Sequence, residues 1–332
     1  KDELENESTA KPWYNKSLQE MTKRDWRIFK EKYEIRSRGN TIPNPIRNWN
    51  EATLHPSIMM SIRQARYQKP TPIQMQCVPL AYSCRDILGI AETGSGKTAA
   101  FVLPMLSQIL RQPSQVANHP HVGPYALVIA PTRELVQQIA GEVEKLGKHT
   151  EVRVMFVIGG ESIQDQQLQI SQGIEILIAT PGRLVDLLQN RFIRLDQCRY
   201  LVLDEADRMC SMNYDDDLKY ILTRIPEQGP GFRRQIVMFS ATMPSSVEKL
   251  ANEYLKDRIL VSIGELGRVN ENIELITIWM EDSEKKRHLR NILNRSSPPV
   301  IIFANSRKVV DSVSQYMQTM KYNVAGIHGG KS

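Results

Sequence analysis

The sequence predicts an α/β protein built from doubly wound parallel sheets, one complete and a second truncated. Three observations predict it. Short runs rich in Val, Ile and Leu alternate with helical stretches between residues 87 and 263, and apolar strands alternating with helices make a parallel sheet covered on both faces. A glycine-rich loop, Ala91-Glu92-Thr93-Gly94-Ser95-Gly96-Lys97-Thr98, joins the first of those runs to the helix after it. A shorter series of the same kind resumes after residue 272.

At 332 residues, 41% of them hydrophobic, the chain has room for one large domain and part of another. No run approaches the roughly 18 apolar residues of a membrane span, and the charged start, residues 1–7, lacks the apolar segment of a secretory signal. A soluble, intracellular protein without a membrane role is expected. The four cysteines, Cys77, Cys84, Cys198 and Cys210, form no C-x-x-C pair, which points to reduced and mostly buried thiols rather than zinc or disulfides. His119 and His121 flank Pro120 in what reads as a solvated turn. A net charge of +6 permits a polyanionic partner and gives weak support for nucleic acid.

Residues 1–41 form an expected N-terminal extension. Ser17 and Glu20 have capping-box spacing, and Leu18, Met21, Trp26, Phe29 and Tyr33 follow at helical spacing until Gly39. One helix cannot bury such aromatics alone, so it docks on its own chain or on a partner. Residues 42–264 read as the first domain. Ile42-Pro43-Asn44-Pro45-Ile46 is a rigid lead to Trp49 and a short helix near 57–65. Pro70 and Pro72 then fix the approach to a helix beginning around Ile73. That places Gln74 just upstream of the glycine loop, and its amide offers the donor and acceptor needed to read adenine.

The loop itself brings backbone N–H groups and a helix dipole to one hollow, which suits polyphosphate. Lys97 would reach the terminal phosphates and the Thr98 hydroxyl would ligate magnesium, although Ala91 stands where the general phosphate-loop pattern has its first glycine. Candidate strands follow at 125–130, 152–158, 174–179, 200–203, 235–239 and 259–263, separated by helices at 133–147, 162–172, 183–189, 215–224 and 245–255. In such sheets ligands bind at the carboxyl ends of the strands. One end carries Asp204-Glu205. Adjacent carboxylates there call for a cation, so Asp204 would hold magnesium through water while Glu205 orients or deprotonates the attacking water. Other ends carry Pro131-Thr132-Arg133, Gly159-Gly160, Thr180-Pro181-Gly182-Arg183 and Ser240-Ala241-Thr242, groups suited to a phosphate backbone. Asp215-Asp216-Asp217 looks metal-like, but three acids opening a helix suit its dipole.

This ordered set resembles the DEAD-box RNA helicases: Gln74 with its Pro-Thr-Pro-Ile lead, AETGSGKT at 91–98, PTREL at 131–135, GG at 159–160, TPGR at 180–183, DEAD at 204–207 and SAT at 240–242. The resemblance implies two RecA-like domains closing over ATP, magnesium and RNA. It implies that Tyr67 stacks on adenine and Gln74 reads it, and that Thr93, Gly94, Ser95, Gly96, Lys97 and Thr98 bind the nucleotide. Catalysis would involve Lys97, Asp204 and Glu205, with Ser240 and Thr242 linking hydrolysis to strand separation. RNA contacts would come from Pro131, Thr132, Arg133, Gly160, Thr180, Gly182 and Arg183. Arg66 departs from the family's usual glycine before the stacking aromatic.

After a linker at 265–272, residues 273–332 read as strand, helix, strand, helix, strand at 274–280, 285–294, 300–304, 306–320 and 324–327. Here Asn305, Arg307 and Gly329 resemble the family's second-domain RNA contacts. The family's arginine fingers fall beyond this series, so a partial chain with very slow hydrolysis by itself is expected. A narrower resemblance of residues 16–30 and 42–49 is to the branch of the family that acts in pre-mRNA splicing at the 5′ splice site. It implies a nuclear protein that is monomeric outside its complex, remodels small nuclear RNA or pre-mRNA duplexes, and meets spliceosomal proteins through its N-terminal segment. The rival expectations are an ATP-gated RNA or protein clamp, a small-molecule phosphotransferase, or a DEAD-box helicase of another RNA process.

Overall fold

The computed structural model describes residues 11–112, 123–229, 232–264 and 273–330. The His119–His121 turn and the 265–272 linker lie outside the described residues. The chain divides into two compact units, Lys1–Arg268 and Val269–Ser332.

The first unit is organised on an eight-stranded sheet. Its strands are β1 (Ile35–Arg38), β2 (Ile87–Ile90), β3 (Ala126–Ile129), β4 (Val154–Val157), β5 (Ile176–Ala179), β6 (Tyr200–Leu203), β9 (Gln235–Ser240) and β10 (Ile259–Ile263), with a two-residue hairpin, β7 (Gln228–Gly229) and β8 (Phe232–Arg233), apart from it. The order across the sheet is β1-β10-β2-β9-β6-β3-β5-β4, and every pairing is parallel except β1 with β10. Successive strand residues point to opposite faces, so Ala126 and Val128 join one core layer while Leu127 and Ile129 join the other. On the first face lie Ile58 of α2 (Pro56–Gln64), Ile73 of α3 (Pro72–Leu80), Phe101 of α4 (Lys97–Ile109) and Ile139 of α5 (Arg133–Gly147). The opposite layer includes Ile170 of α6 (Ile163–Ser171), Leu184 of α7 (Pro181–Gln189), Met209 of α8 (Ala206–Ser211), Leu218 of α9 (Asp215–Thr223) and Val247 of α10 (Ser245–Tyr254). Gly89 makes the centre of the sheet possible. It sits in register with Phe239, whose ring lies 2.3 Å from where a Cβ at 89 would stand.

The front of the chain differs from expectation. The Ser17–Glu20 capping box closes only a single turn, Leu18–Glu20. A second box, Thr22 with Asp25, opens the true helix α1 (Lys23–Lys32). Residues Ile35–Arg38 then join the sheet as its antiparallel edge, so the expected boundary at 41 cuts through one folded unit. The helix docks on its own chain. Phe29 is fully buried, in ring contact with Trp13, Trp26 and Tyr33, and Arg47 donates to the Lys16 carbonyl at 2.7 Å while pairing with Glu51.

The second unit contains α11 (Lys285–Leu293) and α12 (Arg307–Thr319). The strands expected at 274–280, 300–304 and 324–327 form no ladder among the described residues, and Trp279, Phe303 and Ile327 are exposed. Apolar composition selects such segments, but a strand exists only when a neighbour pairs its backbone.

Candidate functional site

The carboxyl ends of β2, β3, β5, β6 and β9 share one edge of the sheet, because those strands are mutually parallel. A cleft of about 390 Å³ opens there, lined by Tyr67, Gln74, Thr93, Gly94, Gly96, Lys97, Thr98 and Ala99 from the front of the chain, Leu135, Gln138 and Glu142 from α5, and Asp204 and Glu205 from the end of β6. Residues 137 positions apart in sequence thus meet in one hollow.

The loop after β2 reaches α4 through Gly94 at φ +81° and Gly96 at φ +89°, backbone angles that carry little cost for glycine. No side chain caps α4, so the amides of Lys97, Thr98 and Ala99, which open its first turn, have no intrahelical partner. Three orphan donors and a helix dipole at the cleft fit a phosphate chain. Lys97 Nζ curls back to donate to the carbonyls of Ala91 at 2.5 Å and Glu92 at 3.0 Å. Burial lowers its pKa, opposed by the charges of Asp204, Asp207 and Glu205. Ser95 is turned to the loop itself, its hydroxyl donating to Glu92 O at 2.7 Å, and it does not line the cleft.

Asp204 is almost fully buried, and burial pushes its carboxyl up to about 6 despite the opposing charge of Lys97. A buried acid beside a phosphate-sized hollow fits a hydrated magnesium ion better than a purely structural role. Glu205 sits at φ +54° with its carboxylate 3.4 Å from Arg208. Asp207 accepts from both Thr242 N, at 3.0 Å, and Thr242 Oγ1, at 2.7 Å, tying the end of β6 to the loop after β9. The Ser240 hydroxyl is fully buried without a hydrogen-bond partner, and its carbonyl accepts from Ala91 N at 3.2 Å.

The residues expected at an RNA backbone gather around the ends of β3, β4 and β5. Pro131 is buried, and Thr132 caps α5 by accepting from Leu135 N at 3.3 Å. The Arg133 guanidinium lies against Gly159 and Gly160. Arg183 is turned inward, with Nε donating to Gln166 Oε1 at 2.9 Å and Nη2 to the Glu161 carbonyl, so it braces the Gly160 loop. Thr180 is buried at the start of α7, and Gly182 lies beside Asp217. Within the second unit, Asn305 is exposed and the Arg307 guanidinium lies beside Gly329 and Gly330.

Gln138, Glu142 and Ala99 were not singled out from sequence. Their signal was available for α5: Leu135, Gln138 and Glu142 recur at spacings that share one helix face.

A sequence model of the DEAD/DEAH box helicase family matches residues 71–250, more than half of the chain. The chain belongs to the DEAD/DEAH box helicase family. Among its relatives, the human probable ATP-dependent RNA helicase DDX23 is 45% identical over 96% of this chain and 42% of its own length. The Schizosaccharomyces pombe pre-mRNA-splicing ATP-dependent RNA helicase prp28 is 41% identical over 97% of this chain and 51% of its own length. The chain therefore spans about half the length of these helicases. Among solved structures, yeast DEAD-box splicing factor Prp28 superposes with a TM-score of 0.75 at 38% identity, covering 93% of this chain and 71% of that one. Prp28 from Chaetomium thermophilum, solved with ADP bound, gives 0.68 at 39% identity, covering 96% and 74%. These RecA-like helicase folds share the α/β architecture described above.

Proposed function

We propose that this DEAD-box chain belongs to an ATP-dependent RNA helicase that separates short RNA duplexes in pre-mRNA splicing. The observation that carries the reading is the cleft, where uncapped helix amides and Lys97 face the buried Asp204 and its neighbour Glu205. The amides and Lys97 would hold the triphosphate, Thr98 and Asp204 would hold magnesium, and Tyr67 with Gln74 would receive the adenine. Magnesium, when bound, would neutralise charge on the phosphates. Glu205 orients the attacking water and takes its proton. Thr242, bonded to Asp207, and the neighbouring Ser240 relay the state of the cleft towards the strand ends where Pro131, Thr132, Arg133, Gly160, Thr180 and Gly182 meet RNA, with Arg183 bracing the Gly160 loop behind them. Asn305, Arg307 and Gly329 supply contacts from the second unit. The splicing role, nuclear location and spliceosomal partners draw support from the names of the relatives.

The test is RNA-stimulated ATP hydrolysis and strand separation by the intact protein. Glu205→Gln should retain ATP binding and lose both activities. Duplex remodelling that persists without hydrolysis favours an ATP-gated clamp, and turnover indifferent to RNA favours a phosphotransferase. Crosslinking in cells should place bound RNA at 5′ splice sites, and RNA centred elsewhere defeats the splicing assignment.

A further inference from the structure

We propose that Glu142 and Lys145 are positioning residues for Tyr67, holding its ring as a fixed platform for a nucleotide base in the wall of the cleft. The inference rests on the nucleotide reading above and deepens it. Tyr67 follows Arg66, at φ +59°, and its backbone N–H donates to Ile62 O at 3.1 Å, so its Cα is anchored to the end of α2. The ring is held independently, from α5. Its hydroxyl donates to Glu142 Oε1 and accepts from Lys145 Nζ at 3.2 Å. The loop of bonds closes where Lys145 Nζ meets Glu142 Oε2 at 3.3 Å. The same ammonium stands 4.7 Å from the centre of the Tyr67 ring.

Glu142 and Lys145 are one turn apart on a single helix, so they reach the phenol together. Burial and the bond to Glu142 raise the phenol pKa, and the hydroxyl remains a donor at neutral pH. Lys145 gains from the tyrosine oxygen in turn, its pKa raised first by that bond. A phenylalanine would offer a base the same flat surface without this handle. The gain from the hydroxyl is preorganisation: a ring already fixed loses less freedom when a base stacks on it.

The experiment compares ATP with inorganic tripolyphosphate, which has the phosphates but no base, as ligands of the intact protein. Tyr67→Phe and Glu142→Ala should each weaken ATP binding about fivefold, the worth of one hydrogen bond, and leave tripolyphosphate binding as it was. In steady-state hydrolysis both should raise KM by more than they lower kcat. Glu142→Gln keeps an acceptor for the phenol and should recover most of the loss. Wild-type protein that binds neither ligand overturns the nucleotide reading itself. Wild-type protein that binds both overturns the positioning role alone if the variants match it, lose both ligands equally, or show no recovery with Glu142→Gln.

Discussion

The side chain of Gln74 closes the glycine loop from behind by bonding Gly96: Nε2 donates to Gly96 O at 3.0 Å while Oε1 accepts from Thr71 N at 2.9 Å. The contact is close enough that a Cβ at Gly96 would stand 2.5 Å from that nitrogen. An amide has two donors and two lone pairs, so one of each remains for a base after the latch is made. Gln74→Glu would set a carboxylate against the Gly96 carbonyl. It should cost about 1–3 kcal/mol of stability and weaken ATP at least about tenfold, read by thermal unfolding and calorimetric titration. A glutamate variant that binds ATP as wild type does would show that the latch is dispensable.

Asp204 is expected to weaken the fold it serves. Its carboxyl titrates at about 6, against about 3.9 in an unfolded chain. The folded state therefore holds the proton more tightly, and the ionised group costs nothing below pH about 4 and its full penalty above about 6. In metal-free buffer Asp204→Asn should be more stable than wild type at pH 7.5, by at most about 3 kcal/mol, with the gain gone at pH 4. Equal melting temperatures at pH 7.5 would count against this account, and the variant should also lose the magnesium-dependent part of its ATP affinity.

Much of this arrangement was legible because backbone chemistry announces it. The glycines before Lys97 and the acids after Leu203 mark a helix start and a strand end whatever surrounds them. Edge strand β1 was not legible. Ile35-Arg36-Ser37-Arg38 offers one buried residue and two arginines, and its partner β10 lies at the far end of the unit. Glu142 was hidden for a different reason: which face of α5 meets the cleft depends on how that helix packs against α2 and α4, a tertiary fact. Arg183 shows what a charge alone leaves open. Its charge suggests a ligand, but its guanidinium is spent on Gln166 and Glu161.

Arg66 carries backbone strain at the entrance to the cleft wall. It is exposed and stands at φ +59°, in the left-handed region, directly before Tyr67. That conformation costs an ordinary residue about 1–2 kcal/mol, part of which glycine returns as greater freedom in the unfolded chain. Arg66→Gly should raise stability by about 0.5–1 kcal/mol, a rise of a few degrees in Tm. A lower Tm would mean that the arginine makes a contribution large enough to outweigh its conformation.

The docking of α1 should be sensitive to acid through one residue. Asp25 is held down to about 2, first by the hydrogen bond from Lys16 Nζ and then by the Thr22 backbone N–H, at 2.8 and 2.9 Å. Here the folded state prefers the ionised form, so the stabilisation is complete above pH about 4 and is lost as pH falls from there towards 2. Asp25→Ala removes the Lys16 bond and half of the capping box, and should cost about 1–2 kcal/mol at pH 7. Trp26 is buried beside Phe29, and Trp13 packs on the same ring, so two of the four tryptophans report this region when urea unfolding is followed by fluorescence. The gap between variant and wild type should narrow on acidification from pH about 4 and close only below pH about 2. A gap of constant size from pH 7 to pH 2 would assign the loss to packing or helix propensity and exclude the carboxylate charge as its source.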